Sequence, residues 1–388
     1  MEMQQKKRLA IVTSHPIQYN APLFRMLTER GKLDVKVFYT WGQTEQGFVY
    51  DPDFKAAFTW DIPLLEGYEK EFVENISKHP TAGSFNGIDN KDLIERIDRY
   101  APDALLVFGW SFKSHLRVLR HYSGRKKIIF RGDSNLLDEA EGFSVKKILR
   151  TVFLTWLYRH VDIALYTGAA NKAYYLKYGL KEHQLLYAAH AVENERFYDE
   201  DGRYEQAAVQ WRAQLGIGTD EKVFLFAGKL EPKKDPLLLL EAFQQLDQEK
   251  IRLIFVGKGV LEDALQQKAG NDPRILFLGF QNQQQMPVVY RLATVFVLPS
   301  KGPGETWGLS VNEALACDRP VLVSNKCGCA VDLVVPGENG LIFEAGNRGS
   351  LKTSMHTIHN MQFSVSSIRS VVHRFCIQSI AESLEEAV

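Results

Sequence analysis

Two carboxylates, Glu305 and Glu313, stand with seven residues between them in the stretch Ser300-Lys-Gly-Pro-Gly-Glu-Thr-Trp-Gly-Leu-Ser-Val-Asn-Glu-Ala-Leu-Ala316. An apolar run, Thr294 to Leu298, precedes it and reads as a buried strand; Leu309 to Ala316 is a run of good helix formers. One carboxylate therefore falls in a loop rich in Gly and Pro, the other inside a helix. The backbone N–H groups of Trp307, Gly308 and Leu309 lie at the helix entry. Unpaired donors and the positive end of the helix dipole converge there and attract phosphate. Gly308 has no Cβ to hold a ligand away from the backbone. A carboxylate on either side of such an entry suits two sets of hydroxyls flanking a phosphate. A nucleotide-sugar has that layout.

The context around the pair carries a family resemblance. Pro299-Ser300 after the strand, Glu305-Thr-Trp-Gly-Leu309, Asn312-Glu-Ala314 and Arg319-Pro-Val-Leu-Val323 together resemble the Glu-x7-Glu segment of the retaining glycosyltransferases of family 4, which have the GT-B fold. Ala227-Gly-Lys-Leu-Glu-Pro-Lys-Lys-Asp-Pro236 resembles a second family segment, with Lys229 and Lys234 at its two cationic positions and Lys233 as their neighbour. The resemblance implies that Glu313 holds the ribose, Glu305 the transferred sugar, and the two lysines the departing diphosphate. Cations there act on the charge that grows as the sugar–phosphate bond breaks. Taken in isolation, a lysine cluster is more often a solvated loop.

Val256-Gly-Lys-Gly-Val260 falls short of the full dinucleotide fingerprint. The family has a similar turn near the donor, which makes Gly257 and Gly259 donor-side candidates; tight strand-to-helix geometry explains the turn equally well. Phe280, in Leu278-Gly-Phe280, stands near the family's nucleobase position, where it could stack on a base or fill the core. The resemblance further implies retention of configuration, no metal, and a nucleoside-diphosphate-sugar as substrate rather than cofactor. It covers residues 222–345 most closely and 8–200 more loosely. A nucleotide-sugar epimerase of the same fold would share these groups, and so would a non-catalytic nucleotide-sugar binding protein. A nicotinamide dehydrogenase is disfavoured, since no full glycine fingerprint follows a strand.

The elements that must position these residues alternate. Strand candidates are Leu9–Thr13, Val35–Tyr39, Ala104–Phe108, Lys127–Phe130 and Asp162–Tyr166, then Val223–Ala227, Arg252–Val256, Ile275–Leu278, Thr294–Leu298, Pro320–Ser324 and Leu341–Phe343. Helical stretches such as 22–30, 91–100 and 145–159 lie between them. This is the signature of parallel sheets covered by helices. At 388 residues the chain suits two domains rather than one core. The expectation is an α/β, GT-B architecture: two doubly wound Rossmann-like domains facing a central cleft. We expect an acceptor-side domain over 1–192, a donor-side domain over 193–363, and a terminal helix over 364–388 that could cross back to the first domain. The hinge is placed near residues 188–200.

The first half offers looser candidates. Ser14-His-Pro-Ile-Gln-Tyr19 replaces the glycine-rich turn common in the family and resembles a subgroup of bacterial polysaccharide-building transferases. His15 and Gln18 could bind phosphate or acceptor hydroxyls, or His15 could simply cap a turn. Trp110, Arg131 and Asp133 follow strands, where ligands of such sheets bind. His190 faces the cleft if Tyr187–Phe197 aligns with the family's Pro-Asn-Gly-Val-Asp segment, although Ala191 and Glu193 depart from it.

Asp51-Pro-Asp53 and Asp199-Glu-Asp201 match a metal motif of another transferase fold but have no supporting ligands. Cys317, Cys327 and Cys329 have no nearby His and read as small buried thiols rather than zinc ligands. Asp318 replaces the usual Gly after the helix, in a place where Asp tolerates the left-handed conformation.

Composition sets the remaining bounds. Lys+Arg and Asp+Glu are both 47, so the overall field gives no reason to expect nucleic acid. Four cysteines make no disulfide framework and suggest a reducing compartment. No apolar run approaches the ~20 residues that span a bilayer, and the start has neither a long apolar region nor a cleavage site. The expectation is a cytoplasmic enzyme acting on a glycan or lipid-linked acceptor. Val145 to Arg159 is basic, apolar and aromatic; it could lie on the inner face of an anionic membrane, but a core helix with a basic rim is favoured.

Overall fold

In the computed structural model, which describes residues 6–42, 48–51, 56–137, 139, 142 and 144–388, each of these apolar runs becomes a strand, with ends shifted by a residue or two. The chain divides into two compact units. The first comprises Met1–Val49, Ile62–Ala189 and Ile377–Val388; the second comprises Tyr50–Asp61 and His190–Cys376.

The first unit carries a sheet of β1 (Lys7–Thr13), β2 (Leu33–Tyr39), β5 (Glu69–Phe72), β6 (Ala104–Phe108), β7 (Lys127–Arg131), β8 (Ile163–Tyr166) and β9 (Leu185–Tyr187). A separate pair, β3 (Phe48–Asp51) and β4 (Ala56–Thr59), interrupts the numbering. The order is β5-β2-β1-β6-β7-β8-β9 and every pairing is parallel. Strands covered on both faces read as continuous apolar runs, which is why β1, β6 and β7 stand out in the sequence. The edge strands β5 and β9 do not. Glu69-Lys-Glu-Phe72 is mostly charged and only partly buried, as suits an edge that must not pair further.

The second unit repeats the design with β10 (Lys222–Ala227), β11 (Ile251–Val256), β12 (Ile275–Leu278), β13 (Val295–Leu298), β14 (Val321–Ser324) and β15 (Gly340–Phe343). Their order is β12-β11-β10-β13-β14-β15, again parallel throughout. Order reverses beside β10, between β11 and β13, so the loops after β10, β11 and β13 gather at a topological switch point. Phe224, Phe226, Leu253 and Phe255 fill one face under the helices Pro236–Gln244 and Arg348–His359. Each such buried side chain is worth several kcal/mol against Ala, roughly 3–5 for Phe.

The terminal stretch forms two helices. Val365–Val372 belongs to the second unit, where Arg369 holds Asp318 in a two-pronged pair at 2.8 Å. Asp318 itself sits at φ 60°, the left-handed conformation expected of it. The second helix, Ile377–Ala387, packs on the first unit. Arg30 and Lys32 grip its Glu385 at 2.6–2.9 Å, and Ser383 donates to the carbonyl of Tyr187 at 2.6 Å.

Among the described residues no helix is long and apolar enough to cross a membrane.

Candidate functional site

The loop after β10 and the loop after β11 brace each other. Gly228 N–H donates to Val256 O at 3.0 Å, Leu230 N–H to Lys258 O at 2.9 Å, and Leu261 N–H to Leu230 O at 2.9 Å. A Cβ on Gly257 would lie 2.1 Å from Gly228 O, and one on Gly259 2.4 Å from Leu230 O. Gly257 also has φ 124°. Both glycines thus answer first to neighbouring backbone, and the space they clear is taken by the Gly228–Leu230 turn. Lys229, half-buried, is presented from that braced turn.

Past the turn, the short helix Pro232–Lys234 ends at Asp235, with φ 49°. It points Lys234 at the loop after β13. The Lys234 ammonium donates to Glu305 Oε2 at 2.7 Å, and Ser300 Oγ donates to the same oxygen at 2.9 Å. Glu305 is buried. Burial pushes its carboxyl up, but the charge and hydrogen bond of Lys234, the Ser300 hydroxyl and the charge of Lys233 outweigh it and hold the pKa below the ordinary value. The group is an ionised carboxylate clasping a cation.

The Glu305–Gly308 loop is held from behind. Gly328 N–H donates to Glu305 O at 3.1 Å and Cys329 N–H to Trp307 O at 3.0 Å. A Cβ on Gly328 would stand 1.7 Å from Thr306 O. The Trp307 indole is turned into the core, its Nε1 donating to Asn312 Oδ1 at 2.8 Å; Asn312 Nδ2 in turn donates to His190 O at 3.1 Å. The Trp307 side chain is thus engaged in holding the loop. Gly308 caps the helix Leu309–Ala316 with φ 102°, and a Cβ there would meet Leu298 Cδ2 at 2.9 Å. Its smallness serves packing on β13 and the left-handed turn, a tighter reason than ligand approach. Glu313 is buried within that helix, and Tyr290 Oη donates to its Oε2 at 2.6 Å.

The structure therefore joins Lys234 with Glu305 at the switch point, with Lys229, Gly257 and Gly259 on the adjoining loops and Leu309 and Glu313 on the helix that follows. Phe280 is half-buried on the loop after β12. Sequence reasoning missed four supporting residues: Ser300, Tyr290, Asn312 and Gly328. Ser300 lay inside the quoted stretch, and Gly328 lay in the Cys-Gly-Cys segment weighed only for zinc. That segment is a backbone clamp. Cys317, Cys327 and Cys329 are free, buried thiols, and burial pushes Cys317 and Cys327 up to about 12.

In the first unit, Trp110 and Asp133 line a cavity of about 160 Å³ beyond β6 and β7, together with Ser111, Ser134 and Tyr175. Tyr175 Oη shapes its floor, bonded to both N–H and O of Gly132 at 2.9 Å. Arg131 does not join them. Its guanidinium is buried and donates to the carbonyls of Ala188 and Ala189 at 2.9 and 3.0 Å, tying β7 to the chain after β9; burial lowers its pKa to about 10. A side chain read as a ligand contact is thus a brace. His15 Nδ1 lies 3.0 Å from Ser14 Oγ, and burial lowers its pKa. Gln18 is half-buried nearby in the same loop. His190 falls in the second unit, its ring 5.7 Å from Trp307.

Of the two Asp-x-Asp matches, Asp53 lies outside the described residues. Asp199 accepts from the N–H groups of Tyr204 and Glu205 at 3.1 and 2.8 Å, capping the helix Arg203–Gln214. Among the described residues no group of three or more His, Cys, Asp or Glu could hold a metal ion.

Comparison with known proteins bears on this arrangement. The family model described as "Glycosyl transferases group 1" matches residues 209–366, the second unit's sheet and its site. A D-inositol 3-phosphate glycosyltransferase of Rhodococcus opacus is 32% identical over 384 residues, 91% of this chain and 82% of that protein. An uncharacterized glycosyltransferase of Methanocaldococcus jannaschii is 31% identical over 137 residues, 34% of each chain; the chain thus spans only about a third of that relative's length. Among solved structures, Anabaena HepE in complex with UDP and glucose superposes with a TM-score of 0.68 at 17% identity, covering 98% of both chains.

Proposed function

The chain belongs to the group 1 glycosyl transferases and has their GT-B fold, and on that premise we propose that it acts in the manner of family 4. In this reading it moves a sugar from a nucleoside-diphosphate-sugar to a glycan, lipid-linked or small-molecule acceptor, with retention and without a metal. The observation that carries the reading is the Lys234–Glu305 pair at 2.7 Å, set at the switch point beside the entry of a buried-carboxylate helix.

The chemistry follows from the residues. The bond between the anomeric carbon and the diphosphate breaks, and its electron pair leaves with the phosphate oxygen. Lys229 and Lys234 face the charge that develops there, supplying what a divalent cation would otherwise bring. Glu305 positions Lys234 and offers its carboxylate to hydroxyls of the transferred sugar. Glu313, steadied by Tyr290, accepts from the ribose. The amides at Gly308 and Leu309 face the diphosphate, Gly257 and Gly259 keep the adjoining loop close, and Phe280 lies against the base. An acceptor hydroxyl attacks the anomeric carbon on the departing side, and its proton passes to the leaving phosphate. His15, Gln18, Trp110, Asp133 and His190 remain the acceptor-side candidates. That none of the four cysteines is in a disulfide supports a reducing, cytoplasmic setting.

The test pairs binding with turnover. UDP, GDP and their sugars are screened by thermal shift against the wild type, Lys229→Ala and Glu313→Ala; a ligand at a hundredfold excess over Kd adds about 2.7 kcal/mol of stability. The expected result is one nucleoside diphosphate that stabilises the wild type and neither variant, then an acceptor-dependent product of retained configuration that forms in EDTA. Product from the donor alone would replace transfer by epimerisation. Turnover abolished by EDTA and restored by a divalent ion would refute the metal-free mechanism.

A further inference from the structure

The helix Val145–Tyr158 is apolar on two opposite sides. Leu154, Leu157 and Tyr158 point into the core of the first unit. Away from it, Val145, Ile148, Leu149, Val152 and Trp156 are 67, 47, 65, 63 and 36% exposed. At 3.6 residues per turn these five fall within an arc of about 100°, a stripe roughly 16 Å long. The favoured sequence reading, a core helix with a basic rim, accounts for the inner side alone. An open apolar stripe of this size marks an interaction surface.

Charge identifies the occupant. Lys146 and Arg159 border the stripe, and no Asp or Glu occurs between Ser144 and Val161; Lys147 and Arg150 lie on the helix's other side, donating to Gly142 O at 2.6 Å and to Tyr174 Oη. At its far end Arg120 sits over the Trp156 ring at 5.8 Å, on the rim of a groove lined also by His121 and by Lys113 and Arg117, the latter two paired with Asp89. Two copies of this face would press like charges together. An anionic bilayer complements them.

We propose that this face docks the protein on an anionic lipid surface. The apolar stripe enters the boundary between headgroups and acyl chains, while the cations meet the lipid phosphates. Trp156 suits that boundary, with an apolar body and a polar N–H. An aromatic path leads inward from it: Trp156 to Phe153 at 5.7 Å, Phe153 to Trp110 at 5.1 Å, and Trp110 lines the cavity beyond β6 and β7. Docking sets that cavity beside the lipid, as a lipid-linked acceptor requires. Only this last step rests on the proposed transfer; the docking stands without it.

The full chain is floated with vesicles of phosphatidylcholine alone and with vesicles containing phosphatidylglycerol. The wild type is expected to rise with the anionic vesicles only, and less so as salt is raised. Leu149→Glu/Val152→Glu is expected to cut the bound fraction at least about tenfold at an unchanged melting temperature, since both side chains already face water. Lys146→Glu/Arg159→Glu is expected to weaken it too, and Val331→Glu, exposed on the second unit, to leave it as it was. Failure of the wild type to bind anionic vesicles overturns the proposal, as does undiminished binding by the Leu149→Glu/Val152→Glu variant. A self-association in sedimentation that this variant abolishes, without vesicle binding, would give the face to a second copy instead. Nucleoside-diphosphate binding measured on the same samples separates the two claims, because its absence beside intact vesicle binding refutes only the transfer reading.

Discussion

Removing the cation from the Lys234–Glu305 pair should destabilise the second unit far more than removing both charges. In Lys234→Met the carboxylate keeps the Ser300 hydroxyl but loses its ammonium at 2.7 Å. Breaking a buried pair by deleting one partner costs about 3–5 kcal/mol. The side chains here are 15 and 9% exposed, so residual solvation argues for the low end, about 3 kcal/mol. For a unit of this size that corresponds to a Tm lowered by roughly 6–12 °C. Lys234→Met/Glu305→Gln removes the stranded charge and should recover most of the loss, roughly 2 kcal/mol relative to Lys234→Met.

The pH dependence has a definite sign. Glu305 has a folded pKa below its ordinary 4.5, so its contribution is complete above that value and fades as pH falls below it. Glu305→Gln should flatten that part of the profile. Calorimetry of the four proteins at pH 7, with wild type and Glu305→Gln repeated down to pH 3, reads all of these quantities. A Lys234→Met protein melting within about 2 °C of wild type, or a double variant equal to the sum of the singles, would show that the two groups do not act as a pair.

Four further outcomes follow from particular residues. Tyr290→Phe removes the hydroxyl bonded to buried Glu313 at 2.6 Å; urea unfolding should show a loss of about 2 kcal/mol, and titration a several-fold weaker nucleoside diphosphate. Gly328→Ala places a methyl 1.7 Å from Thr306 O and must displace the Glu305 loop, so turnover should fall about a hundredfold. Gly346→Ala, at φ 72° with nothing within 4 Å, should cost only about 1–2 kcal/mol of stability and no activity. His115 is buried, with Nε2 2.9 Å from Thr40 Oγ1 and Nδ1 2.9 Å from Phe108 O; burial lowers its pKa from 6.5 to about 4. Folding therefore excludes its proton, and the first unit should lose roughly 3 kcal/mol as pH falls from 6.5 to 4. His115→Gln should abolish that dependence in urea unfolding followed across the same range.

What could be read in advance, and what could not, divides along a physical line. Continuous apolar runs report burial on both faces, so β1, β6, β10, β11 and β13 were legible while the charged edge β5 was not. Glu305, Glu313, Lys229 and Lys234 were legible because a motif fixes residue type and spacing together. The glycines were legible as positions, but their reason was not. Gly257 and Gly328 face carbonyls of loops far away in sequence, and no local pattern reports such a neighbour. Arg131 shows the same limit, since its partners Ala188 and Ala189 are met only after the sheet closes.

The helix Val145–Tyr158 is the sharpest instance. A periodic pattern identifies a buried face only when the other face is polar. Here both are apolar, so the sequence favoured a core helix with a basic rim without fixing which side is covered, and burial alone decides that Leu154 and Leu157 face inward while Leu149 and Val152 face out. Apolar residues on the outward face do nothing for the core, so their presence calls for a contact outside this unit, and the cations around them say that contact is anionic.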